Sequence, residues 1–271
     1  MKNCFKEDMS AVDYHAHEGL GSSCLKYAQK SMAHFKAYIN GNVKFKNQSA
    51  LDIGKAAHAA ILEQDYGQYI QGPDVRRGTK AWHEFADKHP GKVILKPDEY
   101  GYIRDMFNSF YNHPKAPKIV SEGKSELSFF ASDENRGLFY KARPDYYVQS
   151  GNGDFIVDYK TSDSASLHSF SSKIYNLGYD LQAAHYMEVV EQVTERPVQD
   201  YMWIVQEKEA PFAIRIYLAD HALIERAKQR RSRLLDMIGE GFKTDEYPSY
   251  TEEILPIDIP NWAINKEGYD D

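Results

Sequence analysis

The pattern of apolar and polar residues changes near the middle of the chain. In the first 120 residues the apolar positions recur with a helical period, and residues that cap or stop helices stand at the boundaries. The predicted helices are one beginning near Leu25 behind Ser22 and Ser23, its continuation from Ser31 to Gly41, one over 50–64, one from Thr79 to about His89, and one from Pro97 to Tyr111. The first part of the chain is therefore expected to be mainly helical.

From Glu126 to Lys160 the pattern becomes aromatic, β-branched and short in period, which is typical of strands. Strands are predicted over 126–130, 138–148 and 155–160, and turns at 135–137 and 151–153 make them an antiparallel meander. A helix over 179–193, strands over 201–206 and 212–218, and a helix from Asp220 to Ile238 follow. This order of elements indicates an α/β fold.

The length of 271 residues allows one large α/β domain or a catalytic domain with a small attached subdomain. Because the sequence contains no internal repeat and no low-complexity linker, a single domain over 1–271 is expected. It divides into a mainly helical part over 1–120, a sheet core over 121–240 and a tail over 241–271. The tail is rich in proline and acidic residues, and its Tyr250, Trp262 and Tyr269 suggest docking on the body or on a neighbour.

The composition is typical of a globular protein, with 42% hydrophobic and 27% charged residues. No apolar run approaches the roughly 18 to 20 residues that span a bilayer, and the first residues lack the apolar core of a signal peptide. A cytoplasmic protein without a membrane partner is therefore expected. Cys4 and Cys24 are too few for a disulfide framework or a four-thiolate zinc site, so any metal chemistry must use oxygen and imidazole ligands. The net charge of -7 argues against a generally basic surface, but it does not exclude a local DNA site.

Charged residues with catalytic potential lie on two adjacent predicted strands. Asp145 lies on the second strand, and Asp158 and Lys160 end the third, across a glycine-rich turn. Since residues two apart on a strand share a face, Asp158 and Lys160 are presented together while their neighbours anchor in the core. Two carboxylates suit Mg²⁺ or Mn²⁺, and an adjacent ammonium group can hold the attacking water or stabilise charge on a phosphate. The alternative is that these are merely solvated charges, as most such pairs on exposed strands are.

Three motifs resemble those of one nuclease superfamily. Pro144-Asp145, followed by Asp158-Tyr159-Lys160, is similar to the signature of the PD-(D/E)XK nucleases. Gln182-Ala183-Ala184-His185-Tyr186, on the helix after the third strand, resembles the RecB-like branch, where the first and last of these residues lie along the DNA path. Gly54-Lys55-Ala56-Ala57-His58 resembles the helix that supplies a histidine metal ligand. Without the other motifs, His58 would be interpreted as a hydrogen-bonded core residue.

The beginning of the chain narrows the resemblance. Tyr14-His15-Ala16, followed by segments over 22–26 and 31–35, resembles the N-terminal part of RecE-type exonucleases, the exonuclease VIII family. Members of that family often carry proline where Met32 stands, a departure that leaves the chemical residues untouched. The resemblance, over about residues 13 to 210, implies a PD-(D/E)XK core with a central mixed sheet flanked by helices and an N-terminal helical extension.

By this resemblance the chain is a metal-dependent exonuclease that degrades linear double-stranded DNA from 5′ to 3′. It would leave single-stranded DNA for annealing-type recombination. Two Mg²⁺ ions, which Mn²⁺ can replace, are expected in each site. The implied partners are DNA ends, further copies of the chain in a ring, with a tetramer favoured, and a RecT-like single-strand annealing protein. A phage or prophage origin and the cytoplasm of a bacterial host follow from the same resemblance.

The resemblance also implies the roles of the site residues. The expected metal ligands are His58, Asp145, Asp158 and the backbone carbonyl of Tyr159. Lys160 would activate or orient the water. Gln182 would position the scissile strand with Tyr186 beside it, since residues four apart share a helix face. Glu126, on the first predicted strand, matches a recurrent acidic position and either holds a metal-bound water or is merely solvated.

Basic residues available to DNA phosphates lie in three places. Arg76 and Arg77 lie in a predicted loop, Lys80 follows it near Trp82, and Arg143 lies beside the acidic pair. Binding through such groups would depend strongly on salt. A third cluster, over 226–233, is interpreted as a solvated helix face or a subunit interface rather than a DNA contact.

Two alternatives to the RecE-type hypothesis stay open. One is a RecB-like nuclease of different polarity, such as a Cas4-like end trimmer, although those enzymes typically hold an iron-sulfur cluster with four cysteines. The other is a noncatalytic subunit that binds DNA ends or assembles with partners and keeps only the fold. The presence of His58, Asp145, Asp158 and Lys160 favours the catalytic hypothesis.

Overall fold

Strands between residues 124 and 218 form a five-stranded mixed sheet that has helices on both faces. The computed structural model describes residues 3–43, 48–151 and 153–259. Within these residues the helices are α1 (Ala11–Ala16), α2 (Ser22–Ala28), α3 (Met32–Ile39), α4 (Gln48–His58), α5 (Lys80–Asp87), α6 (Pro97–Asn112), α7 (Ala116–Val120), α8 (Leu167–Asn176), α9 (Tyr179–Thr194) and α10 (His221–Thr244). The strands are β1 (Cys4–Lys6), β2 (Tyr69–Gln71), β3 (Val93–Leu95), β4 (Lys124–Ser125), β5 (Ser128–Asp133), β6 (Leu138–Ala142), β7 (Tyr146–Val148), β8 (Asp154–Ser162), β9 (Val198–Glu207) and β10 (Ile214–Leu218).

The strand order in the central sheet is β10-β9-β8-β7-β4. β8 and β9 run parallel, because α8 and α9 return the chain between them, and the other neighbours are antiparallel. β1, β5 and β6 form a second, antiparallel sheet, and β2 and β3 form a short parallel pair. The central mixed sheet, flanked by helices and preceded by a helical segment, confirms the predicted fold class.

Alternate residues of β8 and β9 face opposite sides of the sheet, where they pack into two different apolar cores. Ile156 and Trp203 pack into the core built with α2, α9 and α10. Val157 and Tyr159 pack into the core built with α4 and α6, as the two-residue period of a strand requires. Each fully buried large apolar side chain contributes about 1.5 to 3 kcal/mol relative to its exposed state. The two cores therefore hold β8 firmly, and β8 carries two of the predicted catalytic residues.

The helix boundaries follow most of the predicted capping residues. The side chains of Ser31, Thr79 and Asp220 each accept a backbone N–H from the first turn of α3, α5 and α10. α2 begins at Ser22 rather than near Leu25. The predicted helix over 50–64 is confirmed in extent, but its last turn, Ala59–Glu63, is π-helical.

The prediction of one strand over 138–148 is wrong, because these residues form two strands that belong to different sheets. β6 ends at Ala142 and β7 begins at Tyr146. Pro144, between them, has no N–H to donate to a strand ladder and restricts the residue before it. Asp145 therefore lies in a link between two sheets, and the continuous meander is interrupted there. The predicted turn at Gly137 is present with a φ of 66°, whereas Asn152 of the second turn lies outside the described residues.

The beginning of the predicted tail contacts the N-terminal helices. Tyr247 stacks on Phe35 with 6.3 Å between ring centroids, and Lys36 Nζ lies 4.2 Å from the Tyr247 ring. Trp262 and Tyr269 lie outside the described residues. Among the helices that the structure describes, none has the length and apolar character needed to cross a membrane.

Candidate active site

Asp145 and Asp158 lie opposite each other where β7 begins. Tyr146 pairs with Val157 in the antiparallel β7–β8 ladder, so Asp145, one residue earlier, faces Asp158. Asp145 also extends the ladder, because its Oδ2 accepts the Tyr159 N–H at 2.7 Å. The Asp158 side chain is fully buried and that of Asp145 is 15% exposed. The hairpin thus brings the two carboxylates together, as the sequence predicts.

Lys160 lies on the same face of β8 as Asp158. Its Nζ is 2.6 Å from Asp158 Oδ2 and 5.0 Å from the centre of the Tyr179 ring. Burial works against the ammonium charge, but Asp158 and Asp145 outweigh it and raise the pKa of Lys160 above its usual range. The side chain therefore stays protonated at neutral pH. It can donate hydrogen bonds to a water or a phosphate oxygen, and it has no free electron pair with which to accept a proton.

The Asp158 carboxylate is also held by Gln182 of α9. Gln182 Nε2 donates to Asp158 Oδ1 at 3.1 Å. Burial raises the pKa of Asp158 to about 6; the Lys160 ammonium opposes this change and the Asp145 charge adds to it. Tyr186, one turn further along α9, is buried, and burial together with the charges of Asp158 and Asp145 raises its pKa to about 12. Gln182 and Tyr186 therefore both lie beside the acidic pair, as their helical spacing predicts.

His58, the last residue of α4, reaches the acidic pair from the helical part of the chain. Its Nε2 lies 3.1 Å from Asp145 Oδ1. Burial disfavours the imidazolium, but Asp145, Glu63 and Glu126 outweigh it and raise the pKa of His58 well above its ordinary value. Burial likewise disfavours the ionised form of Asp145, yet His58 and Lys160 keep its pKa below the usual range. His58 is therefore part of the acidic cluster rather than an isolated core histidine.

Glu126 lies between β4 and β5 and not on a strand, which corrects its predicted placement. Its φ of 55° is in the left-handed region, a conformation that costs a residue with a side chain of order 1–3 kcal/mol. Arg143 Nε lies 2.6 Å from Glu126 Oε2, and His58 Nδ1 lies 3.5 Å from Oε1. Burial raises the pKa of Glu126 to about 7; His58 and Arg143 oppose this change and Asp145 adds to it. Glu126 therefore belongs to the cluster and is not simply solvated.

Glu63 is a member of the cluster that the sequence did not indicate. Its Oε1 lies 3.4 Å from His58 Nδ1, and Gln68 Nε2 donates to its Oε2 at 2.8 Å. Five residues of α-helix would separate His58 and Glu63 by about 140° around the axis. Only the π-helical turn brings them to the same side. The available signal, a glutamate at the end of the predicted helix, is too common to distinguish it.

The donor set fits a hard divalent cation. Asp145 and Asp158 offer carboxylate oxygens next to the imidazole of His58, and ligand atoms of His58, Glu63 and Glu126 lie within 4.8 Å of one another. Hard divalent ions prefer such oxygens and accept an imidazole. Four carboxyl groups, of Glu63, Glu126, Asp145 and Asp158, face three groups that can carry positive charge, Lys160, Arg143 and His58, and a bound cation would replace the proton on His58. Ligation by the Tyr159 carbonyl stays a prediction.

The predicted DNA-binding residues differ in whether their charges are already paired with carboxylates of the protein. Arg77 is engaged within the protein, where its guanidinium contacts Glu99 Oε1 at 2.7 Å and Oε2 at 2.5 Å. Arg143 is 11% exposed and is held by Glu126. Arg76 is exposed, and Lys80 is 91% exposed with only a 3.7 Å pairing to Glu84. Contact of all four basic residues with DNA stays a prediction, which the geometry favours most for Arg76 and Lys80.

The basic cluster on α10 mostly ties this helix to α9. Arg230 pairs with Asp180, Arg231 with Glu188 at 2.5 Å, and Lys228 with Glu191 at 3.7 Å. Arg226 and Arg233 remain exposed. Much of this cluster is therefore neither a free solvated face nor available to DNA.

A family model described as "PDDEXK-like domain of unknown function (DUF3799)" matches residues 21–258. The chain belongs to this family. The matched part of this PDDEXK-like domain includes the whole acidic cluster, from His58 on α4 to Gln182 on α9. No curated protein sequence matches the chain.

A solved structure is similar to this chain in fold over nearly its whole length. A crystal structure from Eubacterium rectale, described as a "Putative exonuclease", superposes with a TM-score of 0.61 at 16% sequence identity. The match covers 96% of this chain and 98% of the other. A structure described as a phage related exonuclease from Haemophilus somnus 129PT has a TM-score of 0.37 at 14% identity, covering 85% and 97% of the two chains. At 16% identity, the similarity to the Eubacterium rectale structure concerns the fold alone. That similarity extends over nearly the whole chain.

Proposed function

We propose that this PDDEXK-like domain is a divalent-metal-dependent nuclease that hydrolyses phosphodiester bonds in DNA. The observation that carries the proposal is the meeting of Asp145 and Asp158 across the β7–β8 hairpin, with the Lys160 ammonium 2.6 Å from Asp158. The 3.1 Å approach of His58 to Asp145 supports it, because it adds an imidazole donor to the two carboxylates. A structural ion pair alone would not need this set of donors.

The side chains divide the chemistry among them. Asp145, Asp158 and His58 would hold the cation, which when bound lowers the pKa of a coordinated water and neutralises charge on the phosphate. Lys160, kept protonated by its acidic neighbours, would orient the attacking water and stabilise the charge that develops on the phosphate oxygens. Gln182 holds Asp158 through its amide and would position the scissile strand. Burial of Asp158 and Lys160 keeps bulk water away and strengthens these interactions.

The substrate we propose is linear double-stranded DNA, degraded as an exonuclease from 5′ to 3′ with Mg²⁺, two ions in each site, and with Mn²⁺ as a substitute. The resemblance of 14–16, 22–26 and 31–35 to RecE-type exonucleases supports this choice over a Cas4-like enzyme of other polarity. The presence of only Cys4 and Cys24 supports it too, since a four-cysteine iron-sulfur site cannot be built. Arg76 and Lys80 are accessible groups for the phosphate backbone.

The biological setting we propose follows from the same resemblance. The product strand would be passed to a RecT-like single-strand annealing protein for recombination. Copies of the chain would form a ring, with a tetramer favoured, in the cytoplasm of a bacterial host that carries a phage or prophage. Light scattering on the purified protein tests the assembly, and a monomer at working concentration would contradict the ring.

The test of the substrate uses linear duplexes labelled at either the 5′ or the 3′ end, beside a covalently closed circle of the same sequence. With Mg²⁺ we expect the 5′ label to be released first as short products, the circle to stay intact, and EDTA to stop the reaction. Cleavage of the circle would contradict an exonuclease, and earlier loss of the 3′ label would contradict the polarity. A protein that binds ends but releases nothing with Mg²⁺ or Mn²⁺ would be a noncatalytic subunit.

A further inference from the structure

The two ring nitrogens of His58 face different groups. Nε2 faces Asp145 Oδ1 at 3.1 Å, on the side of the acidic pair. Nδ1 faces two other carboxylates, with Glu63 Oε1 at 3.4 Å and Glu126 Oε1 at 3.5 Å. A neutral imidazole carries its proton on one nitrogen and a lone pair on the other. The partner of Nδ1 therefore decides whether Nε2 has the lone pair that a cation needs.

The π-helical turn places Glu63 at this position. Ala59–Glu63 follows α4 directly, and Gln64 closes the turn in the left-handed conformation with a φ of 52°. In a π-helical turn, residues five apart stack on one face, as His58 and Glu63 do here. Gln68 fixes the second oxygen of Glu63 at 2.8 Å, which leaves Oε1 directed at the imidazole. The backbone and the amide together hold the glutamate against Nδ1.

Glu126 is the weaker candidate for the same role. Its Oε2 pairs at 2.6 Å with the guanidinium of Arg143, so a full positive charge already offsets its carboxylate. Glu63 has a neutral amide as its other partner and therefore keeps more of its charge for the imidazole N–H. Both carboxylates lie at nearly the same distance from Nδ1, 3.4 Å for Glu63 and 3.5 Å for Glu126, so their other partners distinguish them rather than the distances.

We propose that Glu63 is a positioning residue of the metal site. Its carboxylate accepts the Nδ1–H of His58 and fixes the orientation of the ring, so that Nε2 faces Asp145 and offers its lone pair to a cation once its own proton is released. Metal-binding histidines generally donate their other N–H to such an acceptor, which fixes the tautomer and raises the basicity of the ligating nitrogen. This inference rests on the proposed function, because it assigns His58 to the cation.

The test measures binding of Mn²⁺ alone, without DNA, by titration calorimetry. Glu63→Leu removes the acceptor, and we expect Mn²⁺ to bind roughly 10- to 100-fold more weakly. Glu63→Gln keeps an amide oxygen that can accept the N–H, and its affinity should stay within a few-fold of wild type. Glu84→Leu is the matched control, since Glu84 pairs only with Lys80 in the described structure and should leave binding unchanged. Melting curves in EDTA confirm that each variant is folded.

The outcomes separate this inference from the proposed function. Wild-type binding together with an unchanged Glu63→Leu variant would overturn the inference alone. A Glu63→Gln variant as weak as Glu63→Leu would make Glu63 a direct ligand and would also overturn the positioning role. A wild-type protein that binds no Mn²⁺ would overturn both. If Glu63→Leu does not fold, ¹⁵N spectra of the wild-type protein with saturating Mg²⁺ decide: a proton on Nδ1 of His58 is expected, and a proton on Nε2 would contradict it.

Discussion

His58 Nε2 and Asp145 Oδ1 lie 3.1 Å apart, although His58 ends a helix of the N-terminal part and Asp145 lies in the link between β6 and β7. The contact joins the helical part of the chain to the β7–β8 hairpin. Two features position these side chains: α4 packs against β8, with Ala56 and Ala57 buried in the same apolar core as Val157 and Tyr159, and the side chain of Asp145 is fixed by the Tyr159 N–H. The candidate site therefore depends on both parts of the fold.

Gln182→Leu should lower turnover. The substitution removes a hydrogen bond to the charged Asp158 at 3.1 Å, an interaction that contributes about 1.5–3 kcal/mol, and we expect kcat to fall roughly 10- to 100-fold. Gln192→Leu on the same helix is the control, because Gln192 donates to the Ser132 carbonyl away from the site. Equal rates for the two variants would show that Gln182 has no part in the reaction.

Metal affinity should rise with pH between about 5 and 8. Burial raises the pKa of Asp158 to about 6. Burial lowers the pKa of His58, but Asp145, Glu63 and Glu126 outweigh it and raise that pKa well above its ordinary value, so both of these proposed ligands carry protons at the acidic end of this interval. A cation must displace those protons, and the apparent affinity should therefore increase by roughly tenfold per pH unit for each proton released. Calorimetry with Mg²⁺ or Mn²⁺ in buffers of different ionisation enthalpy counts the protons. An affinity that is the same at pH 5.5 and pH 8 would contradict the buried acidic cluster as the binding site.

Arg76 and Arg77 should respond differently to substitution, although they are neighbours. Arg76→Ala removes an exposed charge, so DNA affinity should fall and the slope of log affinity against log salt should decrease in size by about 0.9, with no change in melting temperature. Arg77→Ala leaves the buried Glu99 without its guanidinium and should reduce the free energy of unfolding by about 1–3 kcal/mol. Salt-dependent DNA binding and thermal melting separate the two. If Arg77→Ala reduced the salt dependence of DNA binding without lowering the free energy of unfolding, the structural role assigned to Arg77 would be contradicted.

The sequence predicts much of the local structure because its signals are local. Caps such as Ser31, Thr79 and Asp220 stand next to the apolar periods they begin, and the α9 helix with Gln182 and Tyr186 on one face follows from spacing alone. The opposition of Asp145 and Asp158 also follows from one hairpin. For these residues, a short stretch of sequence is enough to predict their positions.

The features that could not be predicted depend on contacts between residues distant in sequence or on small changes in helix geometry. β1 is only three residues long, and its pairing with β5 has no local signal. Strand-forming residues lie on both sides of Pro144, and although the proline marks a break, only the assembled sheets show that the chain changes sheet there. The residues of Ala59–Glu63 suit an α-helix as well as a π-helical turn, so the position of Glu63 beside His58 could not be predicted.

The central claim is that Asp158 and Lys160 carry phosphodiester hydrolysis, and one measurement tests it most directly. Release of end label from linear duplex DNA with Mg²⁺ is compared for wild type, Asp158→Asn and Lys160→Ala. The matched controls are Asp163→Asn and Lys208→Ala, which break another carboxylate–ammonium pair, 2.5 Å apart, just beyond β8. We predict that both site variants, folded as judged by melting, lose at least about 100-fold in rate and that both controls keep wild-type activity. Magnesium-dependent release that survives both site substitutions, or none from the wild type, would contradict the account.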